Sequence, residues 1–144
     1  LHVILRYEIE KDLIEGKAEA RDIPAMWDEK MLAYLDLDTR GNYQDGCLQD
    51  VHWPAQLFGY FPTYTLGAMM AAQFFNAMSR SLPDLAEEIR TGQLERAVGW
   101  LRQNVHGKGS LLVTNDLMAS ATGEPLNARY FLNHLKARYL VDVA

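Results

Sequence analysis

Leu66-Gly-Ala-Met-Met-Ala-Ala-Gln-Phe-Phe-Asn-Ala-Met78 carries no charge, and how it is read decides the fold. Such a run is either a membrane span or a helix packed in a protein core. A span needs about 20 consecutive apolar residues. This stretch is shorter, and His52, Pro54, Gln56, Pro62 and Gln73 interrupt the nearly uncharged sequence around it. It therefore reads as a core helix that begins near Pro62 and runs to about Arg80. No membrane segment is expected.

Outward from that helix the pattern stays helical. Val3, Tyr7 and Ile14, with Ile4 and Leu5, give an apolar face that stops at Gly16. Asp22 as a cap and Pro24 in the first turn open a second helix, on which Met26, Trp27, Met31, Tyr34 and Leu35 recur at helical spacing. Residues 36–46 are turn formers and polar groups, and read as a loop. Further on, Pro83 to Arg90 forms a short helix closed by Gly92, and Leu94, Val98, Leu101 and Val105 mark the next. Thr114 can cap a short helix that stops near Gly123, and Asn127 the last, with Phe131, Leu135 and Tyr139 on one face. Leu111-Leu112-Val113 is too short to be read as a strand. The fold class expected is all-α, a helical bundle with few or no strands, in a single helical region over residues 1–144.

The composition narrows the partners. Of 144 residues, 49% are apolar and 23% charged, enough for one core, and the net charge is −5. Lys and Arg form no run that could track a phosphate backbone, so nucleic acid is not an expected partner. Cys47 is the only cysteine, which excludes an internal disulfide and a multi-cysteine zinc site and is compatible with a reducing cytoplasm. His2, His52, His106 and His134 lie too far apart in sequence for two to share a helical turn, so the chain is expected to hold no metal by itself. The sequence opens at Leu1 in what reads as mid-helix, as a piece of a longer protein would.

Chemistry concentrates between Gly46 and Tyr64, where an acid, an imidazole, an indole and two phenols occur together. His52 can donate a hydrogen bond to a carbonyl or developing oxyanion, and Tyr60 or Tyr64 can do so as a neutral phenol. Asp50 can fix the tautomer of an imidazole or bind a positive group. Tyr60 and Tyr64 are four apart and share a helical face, with Pro62 between them fitting only a first turn. The pair then stands at a helix entrance, where donors aimed at an anion are favoured. Composition alone favours the plainer alternative, in which His52 and Trp53 are packing residues and the tyrosines a core stripe.

Gly46-Cys-Leu-Gln-Asp-Val-His-Trp53 matches the Gly-x-x-Gln-Asp-x-His-Trp signature of the thermostable (Taq-type) carboxypeptidase family of zinc metallopeptidases, which the chain resembles. Phe58-Gly-Tyr-Phe-Pro-Thr-Tyr-Thr-Leu-Gly67, Leu1-His-Val-Ile-Leu-Arg-Tyr-Glu-Ile-Glu-Lys11 and Ala121-Thr-Gly-Glu-Pro-Leu-Asn-Ala-Arg-Tyr-Phe-Leu132 extend the resemblance over essentially the whole sequence. The resemblance implies a cytosolic, mostly helical enzyme with a deep cleft that removes single residues from the carboxyl ends of peptides, commonly as a homodimer. In that family a His-Glu-x-x-His helix and a later Glu hold the zinc, and neither occurs in these residues. The chain is thus expected to be the carboxyl-terminal portion, one wall of the cleft. The zinc belongs to the complete enzyme, and the partners are a peptide substrate and the amino-terminal remainder. By the same resemblance His52 and Tyr64 take catalytic roles as donors to the substrate carbonyl or tetrahedral intermediate. Tyr60, Gln49, Asp50 and Trp53 bind substrate or shape the wall. The alternatives are an inactive helical scaffold and, far less supported by the residues, a hydrolase that uses His52 with Ser110 or Cys47.

Overall fold

The computed structural model describes residues 1–140. Seven α-helices follow in order: α1 (His2–Ile14), α2 (Ile23–Leu35), α3 (Phe61–Ser81), α4 (Leu85–Arg90), α5 (Glu95–Asn104), α6 (Thr114–Thr122) and α7 (Arg129–Tyr139). Among the described residues there is no strand, as the periodicity requires. The Leu66–Met78 stretch lies inside α3, and no described helix is long and apolar enough to cross a membrane. The chain forms two compact units, Leu1–Leu66 and Gly67–Ala144, and α3 runs through the boundary.

In the first unit, Leu5 and Ile9 of α1 and Trp27 and Met31 of α2 form the core with Cys47 from the following loop. Trp53, Met26, Tyr34 and Leu35 pack on its edge. The buried stripe of α1 differs from the expected one: Tyr7 and Ile14 are exposed, whereas Leu5, Arg6, Ile9 and Glu10 are buried. These four form two i, i+4 pairs on one side of the helix. Two of them are charged, so a search for apolar spacing turns the helix the wrong way. Asp22 also acts differently from expectation: its carboxylate accepts the Glu19 N–H at 2.8 Å and closes a 3-10 turn over Ala20–Asp22 instead of capping α2.

The loop after α2 reaches the core at a close approach. A Cβ on Gly46 would stand 2.5 Å from the Asn42 carbonyl oxygen, so only glycine lets the chain fold back tightly enough to bury Cys47.

The second unit is organised by Met78, Leu85 and Ala97, with Leu82 and Trp100 against them. Gln73, the polar break in the apolar run, is fully buried. Its amide nitrogen donates to Thr122 Oγ1 and to the Glu124 and Pro125 carbonyls, and its oxygen accepts the Asn127 N–H at 2.9 Å. The buried amide therefore ties α3 to the turn before α7 with both its nitrogen and its oxygen engaged. Asn127, expected as the cap of α7, stands one residue before the cap position, which Ala128 holds without a side-chain bond; its Oδ1 accepts the Arg129 N–H at 3.0 Å. Thr114, expected as the cap of α6, is instead its first residue; Val113 holds the cap position, and no side chain caps the helix.

Candidate active-site wall

Asp50 organises the segment from Gly46 to Tyr64. Its side chain has no exposed surface, and its Oδ2 accepts the Arg6 Nε–H at 2.9 Å. Oδ1 accepts the backbone N–H groups of His52 at 2.7 Å and Trp53 at 3.1 Å, an Asx turn that bends the chain immediately after the acid. The Arg6 guanidinium lies 4.4 Å from the Trp27 ring centroid and 4.9 Å from that of Phe61, and donates to the His2 carbonyl at 3.1 Å. The cation is thus enclosed by one carboxylate, one carbonyl, the His2 Nδ1 at 2.5 Å and two aromatic faces.

A second buried acid holds the other part of the segment. Glu10, one turn along α1 from Arg6, accepts the Trp53 indole N–H at 2.9 Å and the Gly59 N–H at 3.0 Å. Gly59 has φ +77°, which glycine adopts without a Cβ penalty. Trp53 meets Trp27 edge to face, with centroids 6.2 Å apart.

Between these anchors stands His52. Its ring lies 4.3 Å from Phe61 and is stacked on Tyr60 at 5.3 Å, and its Nε2 is 3.2 Å from the Tyr64 hydroxyl. Nδ1 is shut off from water, without a hydrogen-bond partner, and faces Asp50 Oδ1 at 3.6 Å. Pro62 occupies the second position of α3, where no intrahelical N–H is required, so Tyr60 and Tyr64 stand a turn apart with rings 5.4 Å from each other. Burial, and next the neighbouring Tyr60, raise the Tyr64 phenol above its ordinary pKa, so it keeps its proton as a donor at neutral pH.

The structure therefore brings together five of the six candidate residues, Asp50, His52, Trp53, Tyr60 and Tyr64. Gln49 is apart: it is exposed, and its amide donates to the Asp45 carbonyl at 2.8 Å. Cys47 is buried and its thiol is pushed up by that burial, so it is no activated nucleophile. Among the described residues no three His, Cys, Asp or Glu side chains are grouped to hold a metal ion. The described residues thus do not by themselves supply the donor set for the zinc that the resemblance implies.

Arg6 and Glu10 escape a reading of the motif because they lie far upstream in sequence. Their signal was an Arg and a Glu four apart beside Leu5 and Ile9, a charged pair set directly against an apolar pair.

The sequence profile of the Carboxypeptidase Taq (M32) metallopeptidase family matches residues 1–139. Thermostable carboxypeptidase 1 of Thermus thermophilus is 40% identical over 139 residues, which are 96% of this chain and 27% of that protein. Carboxypeptidase 1 of Bacillus subtilis is 39% identical over 96% of the chain and 28% of its own length. The solved structure of Trypanosoma cruzi metallocarboxypeptidase 1 superimposes with a TM-score of 0.91 at 48% identity, covering 96% of this chain and 29% of that one. The chain thus spans little more than a quarter of the relatives it matches, yet the match runs along nearly all of it. It belongs to the Carboxypeptidase Taq (M32) metallopeptidase family.

Proposed function

We propose that this chain is the carboxyl-terminal portion of a zinc metallocarboxypeptidase that releases single amino acids from peptide carboxyl ends. It contributes substrate and transition-state contacts, while the metal site belongs to the amino-terminal remainder. The same reading makes the complete enzyme a cytosolic homodimer. The observation that carries the reading is the 3.2 Å contact between Nε2 of His52, a residue of the family's own signature segment backed by a buried acid, and the Tyr64 hydroxyl.

In this reading the exposed phenol of Tyr64 donates to the substrate carbonyl oxygen as negative charge develops on it. Tyr60 stacks beside His52 and lines the path of the peptide, and Trp53 closes the wall from the α1 side. Asp50 acts from within the wall and does not touch substrate.

The test is steady-state kinetics on the full-length protein carrying His52→Ala or Tyr64→Phe. A donor used only in the transition state is worth about 2.7–4 kcal/mol. Tyr64→Phe is therefore expected to lower kcat by roughly a hundredfold or more with KM little changed. Full turnover in both variants, with metal content intact, would return the segment to a scaffold role. A raised KM with constant kcat would make the pair an anchor for the substrate carboxylate instead.

A further inference from the structure

We propose that Asp50, itself held by Arg6, is a positioning residue that fixes neutral His52 as its Nδ1–H tautomer, so that the resting bond runs from the Tyr64 hydroxyl to His52 Nε2. This rests on the reading of His52 and Tyr64 as the substrate-facing pair.

The argument starts from the surroundings of Nδ1. That atom is closed to water, makes no hydrogen bond, and faces the Asp50 carboxylate with Oδ1 at 3.6 Å. The distance is long for a hydrogen bond but short for electrostatics in a dry pocket. If Nδ1 carried its lone pair, two electron-rich atoms would face each other with no water between them. If it carries the hydrogen, the N–H dipole points at the carboxylate. The carboxylate cannot turn away, because Arg6 Nε holds Oδ2 and the His52 and Trp53 amides hold Oδ1. The imidazole is confined in turn by Phe61 and Tyr60. The Asp50 carboxylate therefore sets which nitrogen is protonated, as the partner of the buried nitrogen generally does.

A neutral imidazole has one N–H. With that hydrogen on Nδ1, Nε2 is an acceptor, and the 3.2 Å contact is a phenol O–H donating to it. Two roles separate. Tyr64 is the donor of the pair, released to a substrate oxygen by rotation of its O–H. His52 is the acceptor that keeps the phenol aimed, and it offers a hydrogen at Nε2 only after taking up a proton. No bond is made or broken in this step; one O–H exchanges acceptors.

The experiment labels the histidines of the full-length protein with 15N and records long-range proton–nitrogen correlations at a pH where His52 is neutral, with His52→Gln for assignment. The expected result is a protonated Nδ1 and a bare Nε2, favoured roughly tenfold or more, the ratio that one pKa unit of differential interaction gives. Asp50→Asn, similar in shape, should cut that preference severalfold. Tyr64→Phe, which removes only an exposed hydroxyl, should leave it intact. Protonation mainly at Nε2 in the unmodified protein, or a tautomer that switches in Tyr64→Phe, overturns the proposal. Turnover of His52→Ala, measured alongside, tells the failures apart. Nε2–H with turnover still lost overturns the positioning role alone, and Nδ1–H with turnover unchanged overturns the reading on which it rests.

Discussion

Replacing Asp50 separates two jobs that its carboxylate does at once. It neutralises Arg6, whose side chain is 8% exposed, and it holds the amides of His52 and Trp53. Asp50→Asn keeps an oxygen for the amides and removes the charge. Breaking a buried ion pair from one side costs about 3–5 kcal/mol. Arg6 keeps the His2 carbonyl and the faces of Trp27 and Phe61, which offset about 1–2 kcal/mol of that. The expected cost of Asp50→Asn is therefore about 2–3 kcal/mol. Asp50→Ala also orphans the two part-buried amides, and with about 1 kcal/mol for each donor left unsatisfied the total rises to about 4–5 kcal/mol.

Hydrogen exchange of the α1 amides from Leu5 to Glu10 in mild urea is the assay, because it reads the opening of this unit locally. A loss of 2–3 kcal/mol corresponds to exchange roughly 30- to 150-fold faster. The double variant Arg6→Met, Asp50→Asn leaves no lone charge and should recover about 1 kcal/mol or more. Two outcomes refute the reasoning. If Ala and Asn cost the same within about 0.5 kcal/mol, the carboxylate does not hold the amides. If the double variant is no better than Asp50→Asn, the pair is not coupled.

Three other perturbations follow from the same geometry. Gly46→Ala places a Cβ 2.5 Å from the Asn42 backbone oxygen, which cannot swing aside like a side chain; a destabilisation of about 1–3 kcal/mol is expected in thermal melts, and an unshifted Tm would contradict the close approach. Glu10→Gln leaves one acceptor oxygen for the two donors of Trp53 and Gly59, so one of these N–H groups should exchange faster by an amount equivalent to about 1–3 kcal/mol; protection unchanged at both would refute it. Hydrogen bonds from Lys30 and then Tyr34 hold the Glu8 carboxyl below its ordinary pKa, so their stabilisation is complete above the unfolded glutamate value and fades as pH falls through the lower folded value; Glu8→Gln should flatten the acid side of the stability–pH curve, and an unaltered curve would count against it.

How much of this was legible depended on whether neighbours in space were neighbours in sequence. The α3 boundaries, Phe61 and Ser81, follow from a proline that only a first turn accepts and from a helical run without charge up to Arg80. His52, Tyr60 and Tyr64 meet because the segment is short and two of them are one turn apart, so local spacing sufficed. The burial of α1 was misjudged because its inward face mixes Leu5 and Ile9 with Arg6 and Glu10, and hydrophobic spacing assigns charged residues to solvent. Such residues go inside only when a partner meets them, and the partners, Asp50, Trp53 and Gly59, lie in a distant loop. Gln73 shows the same limit: a lone amide in an apolar run gives no hint that the turn before α7 bonds both its nitrogen and its oxygen.

The order of charges on α1 also sets the register of the loop it carries. Arg6 is a donor and meets the acceptor oxygen of Asp50; Glu10 is an acceptor and meets the donors of Trp53 and Gly59. If the loop slid by one turn toward the carboxyl end of the helix, the Asp50 carboxylate would face Glu10; if it slid the other way, the indole N–H would face the Arg6 guanidinium, and either slip sets like charges or two donors against each other without water to relieve them. An apolar interface of equal area would tolerate such a slip, because dispersion and burial have little direction. The stability that this wall forgoes by burying charge is thus exchanged for a single placement of residues 50–59. That placement is what an imidazole and a phenol 3.2 Å apart require. A shift of about 1 Å would already carry the pair outside hydrogen-bonding distance.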